Sequence, residues 1–510
     1  MTGPQNIRMI THTPFAVLMA VCLGGLASGN MAAAEAESVP VLERLIDEAR
    51  ASTSREYQEA SPELPEFLKD LGYDGYMDIS TPPEKSLWHG GSSRFQLQFF
   101  HPGYLYQKPV RIHVIEDGKE REVPFAREMF DYGENEFPEP VPDDLFLTGL
   151  RVLYPLHDPA TLDEIAVFHG ASYFRILGTG QHFGSSLRGL AMDTAESSGE
   201  EFPDFTHFWI EKPGPEADQI RILARLESRR VSGAYQFLIK PGGTTVVEVE
   251  GNLFFRDEVK KVGLAPLTSM FLFGENRTRY FPDFRPEVHD SDGLLLRRGN
   301  GSWEWRPLTN PVKEPQITGF PDRSGFGLLQ RDRRGSSYED LQAGYENRPS
   351  IWVEPGDDWG EGRVELVELP TTKEADDNIV AYWVPKQKFT PARHFHFRYK
   401  LYAYRTAPER PPTELWRTRS TRLQPGKDRT RFVIDFADGP AGERDELTAK
   451  VETPRGKIEN VVTQRNPQLD GWRTFFDVIP EGEPPFEIRA WLVRDEQVRS
   501  ETWIYHFNDR

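Results

Sequence analysis

Phe395-His-Phe-Arg-Tyr-Lys-Leu401 places four large apolar side chains on alternate positions, with His396, Arg398 and Lys400 between them. A period of two is the mark of a β-strand with one face buried and the other wet. The same alternation runs through Ile220, Ile222, Ala224 and Leu226, and through Phe95, Leu97 and Phe99. Turn sequences such as Pro241-Gly-Gly243 and Pro355-Gly356 punctuate these runs, and strands do not alternate with helices as they do in parallel α/β folds. The chain therefore reads as all-β. Val41 to Arg50 is the clearest exception, because Leu42, Leu45, Ile46 and Ala49 fall on one helical face.

Just after the opening stretch, Arg405-Thr-Ala-Pro-Glu-Arg-Pro-Pro412 interrupts the pattern with proline and charge. That composition suits a linker and divides residues 35–405 from residues 413–510. The tail alternates again at Phe432, Ile434 and Phe436, at Ile488, Ala490 and Leu492, and at Trp503, Tyr505 and Phe507. A segment of roughly 100 residues patterned in this way suits an immunoglobulin-like sandwich. The first domain is larger than a single sandwich of that kind and shows no repeat of fixed period.

At the other end, Arg8 precedes the apolar run Phe15 to Ala27, and the small residues Met31-Ala-Ala-Ala34 follow it. Residues 1–34 read as a cleavable secretory signal, which predicts a periplasmic location without membrane insertion. Cys22 is the single cysteine, so the exported protein is expected to have no disulfide, thiol nucleophile or cysteine metal ligand. The formal net charge is −19, one unit more negative once Arg8 is removed. That argues against nucleic acid or an anionic membrane as partner and favours an uncharged ligand.

Polar and aromatic residues concentrate between Gly263 and Trp383, notably in Gly274-Glu-Asn276, Arg285 to Gly293, Gln330-Arg-Asp-Arg333, Tyr345-Glu-Asn-Arg-Pro349 and Asp377-Asn378. His289-Asp-Ser-Asp-Gly293 opens like a calcium loop, but Gly301 stands where the bidentate glutamate belongs. His394 and His396 read as hydrogen-bonded strand histidines rather than ligands. No metal and no cofactor are expected. Walker, zincin and nucleophile-elbow motifs are absent from the sequence. The chemistry left is that of carboxylates as acid and base beside aromatic faces that stack on sugar rings.

Together the segments resemble the periplasmic osmoregulated glucan biosynthesis proteins, the G and D glucans biosynthesis proteins of Gram-negative bacteria. The resemblance runs through Glu84-Lys-Ser-Leu-Trp88, Phe99-Phe-His-Pro-Gly103, Gly170 to Arg175, Arg188-Gly-Leu-Ala191, Ala265 to Phe271, Arg285 to Gly293, Gly325 to Gln330, Arg348-Pro349, Trp352-Val-Glu-Pro355 and Asp377-Asn-Ile-Val380. The signal, lacking twin arginines, is more similar to the G branch. The resemblance implies a large N-terminal carbohydrate-active β-sandwich joined to a C-terminal immunoglobulin-like sandwich, a β-1,2-glucan substrate, and a homodimer as in relatives. It further implies an inverting β-1,2-glucanase whose two catalytic carboxylates are Asp290 and Asp377; they are read here as acid and base in that order, the reverse order fitting the sequence equally, with Tyr345 as a proton relay and Tyr173, Arg348, Trp352 and Trp359 as glucan-binding residues. Rival readings are a glycosyl-transferring, cyclising enzyme on the same glucan and a glucan-binding assembly factor without turnover. Ser302 and Gly335-Ser336 depart from the family pattern at positions where they would alter subsites or a lid.

Overall fold

The alternating runs form strands whose buried residues are the predicted ones. In His394–Tyr404, the residues Phe395, Phe397, Tyr399 and Leu401 are buried, while His394, Arg398 and Lys400 are exposed. The computed structural model describes residues 29–276, 281–391, 393–405, 414–440, 446–482 and 485–507, with side chains from Val41 onward. The chain is all-β apart from a helix at Gly29–Ser52 and short helical turns. Leu45 and Ala49, on the expected face of that helix, are fully buried. Residues Leu42–Arg510 make one compact unit and Met1–Val41 another. The first 28 residues of the expected signal lie outside the described residues. Among the described residues no helix is long and apolar enough to cross a membrane.

Two large sheets supply the scaffold. One runs Gln96–Phe99, Gly149–Asp158, Thr161–His169, Tyr173–Ile176, Ser186–Arg188, Val262–Ser269, Ile379–Pro385, Gly362–Glu368 and Gln316–Pro321. The other runs from Thr448–Glu452 through Phe486–Arg494, Thr502–Phe507, Trp303–Pro307, Gly293–Arg298, Arg323–Leu329 and Ser350–Pro355 to His394–Tyr404. It continues through Thr245–Phe255, Val231–Lys240, Ile220–Glu227, Asp204–Glu211, Arg111–Glu116 and Lys119–Glu122. One continuous apolar core takes side chains from both sheets, among them Phe168, Phe174, Leu267 and Ala381 from the first and Phe237, Val249 and Phe397 from the second. Burying each of the Phe, Leu and Val side chains among them contributes about 1.5–3 kcal/mol. Packing there is close: Gly251 pairs with Phe397, and a Cβ at Gly251 would lie 2.3 Å from the phenyl ring.

The two sheets are also tied by charge. Arg306 and Glu368, on strands of different sheets, are both fully buried and meet at 3.0 Å. The Glu368 carboxylate also accepts the Thr309 amide and hydroxyl at 2.6 and 3.0 Å.

Beyond residue 414, Arg417–Pro425, Thr430–Ala437, Gly471–Ile479 and Lys457–Asn466 form a four-stranded antiparallel sheet. Its buried Phe432, Ile434, Phe436 and Phe476 pack with Ile488, Leu492, Trp503 and Tyr505. Leu295, Trp303, Trp305, Leu329 and Trp352, all from before residue 405, belong to the same core. Thr502–Phe507 pairs in parallel with Trp303–Pro307, so the tail's strands extend the second large sheet. Most of the proline-rich stretch expected as a linker, residues 406–413, lies outside the described residues.

Candidate active site

One short piece of backbone holds both aspartates implied by the resemblance. The strand Phe271–Phe273 pairs with Val288–His289, and one residue on the Asp290 amide donates to the Met270 carbonyl at 2.8 Å. The next amide, Phe271 N–H, donates to Asn378 Oδ1 at 2.8 Å, and Asn378 Nδ2 returns a bond to the Phe271 carbonyl at 3.0 Å. Asp290 and the neighbour of Asp377 are thus anchored to consecutive residues. Beneath Asp290, the buried hydroxyls of Ser185, Ser269 and Ser291 close a triangle of contacts at 2.9–3.2 Å. That triangle ties the 290–291 loop to the end of the strand Val262–Ser269 and to the residue just before the strand Ser186–Arg188.

Asp290 is buried, and burial pushes its carboxyl up to about 6. Arg348 and Arg175 oppose that rise, and the negative charge of Asp377 adds to it. Asp377 is also raised, chiefly by desolvation and against the pull of Arg175 and Arg188, although its side chain is open to solvent. Two raised carboxyls, with Asp377 adding to the rise of Asp290, lie beside three arginines and form the kind of perturbed cluster found at functional sites.

Gly344, with φ of 56°, adopts the left-handed conformation that starts the short helix Tyr345–Asn347 and sends both Tyr345 and Arg348 toward Asp290. Arg348 Nε lies 3.4 Å from Asp290 Oδ1 and makes no hydrogen bond among the described residues. Its guanidinium sits 5.3 Å from the centre of the Tyr345 ring. The Tyr345 hydroxyl donates to Glu374. Burial, then that bond and the charge of Glu374, raise the phenol well above its ordinary range. Glu374 is itself held ionised by Arg285, which reaches it at 2.6 Å and also pairs with Asp283 and Asp340. Glu374 is a site residue that the sequence reading misses; its short interval before Asp377 is the signal that could have found it.

Tyr173 is half-buried, with the Arg188 guanidinium 4.8 Å from its ring centre, and it senses the charge of Asp377. The structure thus brings together Asp290, Asp377, Tyr345, Arg348 and Tyr173. It does not bring Trp352 and Trp359 to them. Trp352 is 1% exposed in the core shared with the tail, and Trp359 is 3% exposed, its indole donating to the Arg398 carbonyl at 2.7 Å. Both rings are committed to packing. Glu287, His289 and Asp292 bring ligand-type atoms within 4.8 Å of one another and are the described residues that could hold a cation. His394 and His396 instead bond Asn252 and Glu250 on the adjacent strand, both at 2.9 Å.

The family model described as "Periplasmic glucan biosynthesis protein, MdoG" matches residues 41–507. The chain belongs to this family. Among relatives of the MdoG family named "Glucans biosynthesis protein G", that of Rhodopseudomonas palustris strain BisA53 is 43% identical over 464 residues, covering 90% of this chain and 91% of the relative. The one from Ralstonia nicotianae is 42% identical, covering 94% of this chain and 99% of the relative. That of Vibrio cholerae is 42% identical, covering 90% and 85% respectively. The solved structure of Slr1438 from Synechocystis sp. PCC 6803 aligns with a TM-score of 0.17 at 9% identity, over 60% of this chain and all of that one, which supports no argument about fold or function.

Proposed function

We propose that this protein is a periplasmic enzyme that cleaves β-1,2-glucan with inversion, using Asp290 as general acid and Asp377 as general base. The observation that carries the reading is the pair itself: two raised carboxyls whose segments are anchored at Met270 and Phe271, with Arg348 ion-paired beside one of them. Cleaving an acetal with inversion needs one group to protonate the leaving oxygen and another to take a proton from the attacking water. Asp290, the more enclosed, suits the acid because a carboxyl held near neutral keeps its proton at working pH. Asp377, open to solvent, suits the group that activates water. Tyr345 can donate and accept at once and so pass a proton between ordered waters. Tyr173 and Arg348 offer a ring face and an unspent donor to glucose hydroxyls.

Incubating the mature protein with linear β-1,2-glucan and following chain length and anomeric configuration by proton NMR tests this. Shorter chains released as the inverted anomer support the glucanase. New linkages would identify a glycosyl-transferring enzyme, and an unaltered glucan that still binds would identify an assembly factor. With Asp290 as acid, kcat should fall as pH rises through about 6. Tyr345→Phe, which removes the donor to Glu374 and keeps the ring, is expected to lower kcat about 10–100-fold with KM little changed, measured as initial rates on the same glucan.

A further inference from the structure

Among the described phenylalanines only Phe202 and Phe284 are exposed. Phe202, 48% exposed, rests on an arginine of the candidate site. That arginine, Arg188, stands opposite Tyr173 on the paired strands Ser186–Arg188 and Tyr173–Ile176. Its guanidinium lies 4.8 Å from the centre of the Tyr173 ring and 5.3 Å from that of Phe202. One cation thus joins a half-buried ring, which senses the charge of Asp377, to an exposed one.

The Arg188 side chain is only 7% exposed and is held from two sides. Nε donates to Thr268 Oγ1 at 3.1 Å and Nη1 to Glu200 Oε1 at 2.7 Å, while Nη2 donates to none of the described residues. The guanidinium therefore keeps hydrogens for a ligand. Because Glu200 matches its charge, an uncharged hydroxyl suits it better than an anion. The loop that carries Phe202 is fixed before any ligand arrives. Thr194 Oγ1 donates to Glu200 at 2.6 Å, the Glu201 amide donates to the Met192 carbonyl at 3.0 Å, and Arg230 pairs with both Asp193 and Glu201 at 2.6 Å. Pro203 follows directly and restricts the backbone further. A ring presented in this way loses little freedom when a ligand lands on it.

We propose that Phe202, Arg188 and Tyr173 form a glucose-binding subsite beside Asp377, with the Phe202 ring against the apolar face of a glucose residue and Arg188 Nη2 donating to one of its hydroxyls. The proposal rests on the reading of this site as that of a β-1,2-glucanase. A ring face and a fixed donor are the two elements that a pyranose needs, since its C–H face is apolar and its rim carries hydroxyls. Neither Phe202 nor Arg188 exchanges a proton with the substrate. Their contacts hold the ground state and the transition state alike, so they act on KM rather than on kcat.

Phe202→Ala is expected to raise KM on linear β-1,2-glucan about 5–10-fold, with kcat within about twofold of the parent. Its ring is exposed, so the unfolding midpoint should stay near that of the parent. Phe202→Tyr restores the ring and should recover most of the loss in KM. Arg188→Lys keeps a cation beside Glu200 but gives up the second terminal nitrogen, and KM should rise about 3–10-fold. Calorimetric titration of the same glucan into Asp290→Asn, with and without Phe202→Ala, makes the comparison free of turnover: Kd should weaken by the same 5–10-fold or so. An unchanged KM and Kd in Phe202→Ala would overturn the subsite, as would a fall in kcat at constant KM. If the parent cleaves the glucan and Phe202→Ala matches it, the subsite alone is lost. If the parent neither binds nor cleaves the glucan, the glucanase reading is lost and the subsite with it.

Discussion

Asp290→Asn should lose about 10³-fold in kcat/KM on β-1,2-glucan and gain stability at neutral pH. The first effect follows from chemistry, since an amide of the same shape cannot give up a proton to a leaving oxygen. The second follows from linkage. Burial raises the folded-state pKa of Asp290 to about 6, above its value in the unfolded chain. The favourable contribution of this group is therefore complete below the unfolded pKa and is lost as pH rises through about 6. Above that pH the ionised, buried carboxylate costs on the order of 2–3 kcal/mol, which the amide avoids. Urea unfolding at pH 7.5 and at pH 4 should show the variant more stable than the parent at the higher pH only. Glycosides with an acidic phenol as leaving group need no protonation, so the rate of Asp290→Asn should recover on them while that of Asp377→Asn stays low. Recovery in Asp377→Asn instead would exchange the acid and base roles.

Arg306→Met should destabilise the protein by about 3–5 kcal/mol without touching Asp290, Asp377 or Tyr345. Arg306 and Glu368 are both wholly buried and join the two large sheets. Removing the guanidinium leaves Glu368 with only the Thr309 donors, and a buried carboxylate without its counter-charge is far costlier than the pair is favourable. A double variant, Arg306→Met with Glu368→Leu, should recover most of the loss, because two apolar side chains of similar volume carry no desolvation cost. Denaturant midpoints of the four proteins make the cycle. A loss below about 1 kcal/mol in the single variant would mean that Glu368 simply takes up a proton.

The strands were legible because their signal is local. A period of two survives in Phe395 to Leu401, in Phe432 to Phe436 and in Trp503 to Phe507 whatever packs above them, and those residues are buried. How the strands assemble was not legible. The parallel pairing of Thr502–Phe507 with Trp303–Pro307 joins segments about two hundred residues apart in the sequence, and no local pattern encodes it. At the site, motif resemblance indicated Asp290, Asp377, Tyr345, Arg348 and Tyr173, which the fold brings together. It also indicated Trp352 and Trp359, which the fold buries. An indole in a matched segment looks the same whether it meets a sugar or a core, and in an all-β protein the core claims most of them. Glu374 meets Tyr345 and Arg285 only through tertiary contacts, which no local pattern in the sequence encodes.

The core shared across residue 405 has a consequence for how such a chain can be cut or recombined. Trp303, Trp305 and Trp352 pack with Phe432, Trp503 and Tyr505, and Arg331 pairs with Glu501 at 2.7 Å. A gene truncated at the proline-rich stretch would produce a protein with an open sheet edge and several large indoles facing water, a template for aggregation rather than a smaller working unit. The tail is therefore not a cassette to be exchanged among unrelated proteins, and its interface with the rest of the chain must drift as a set.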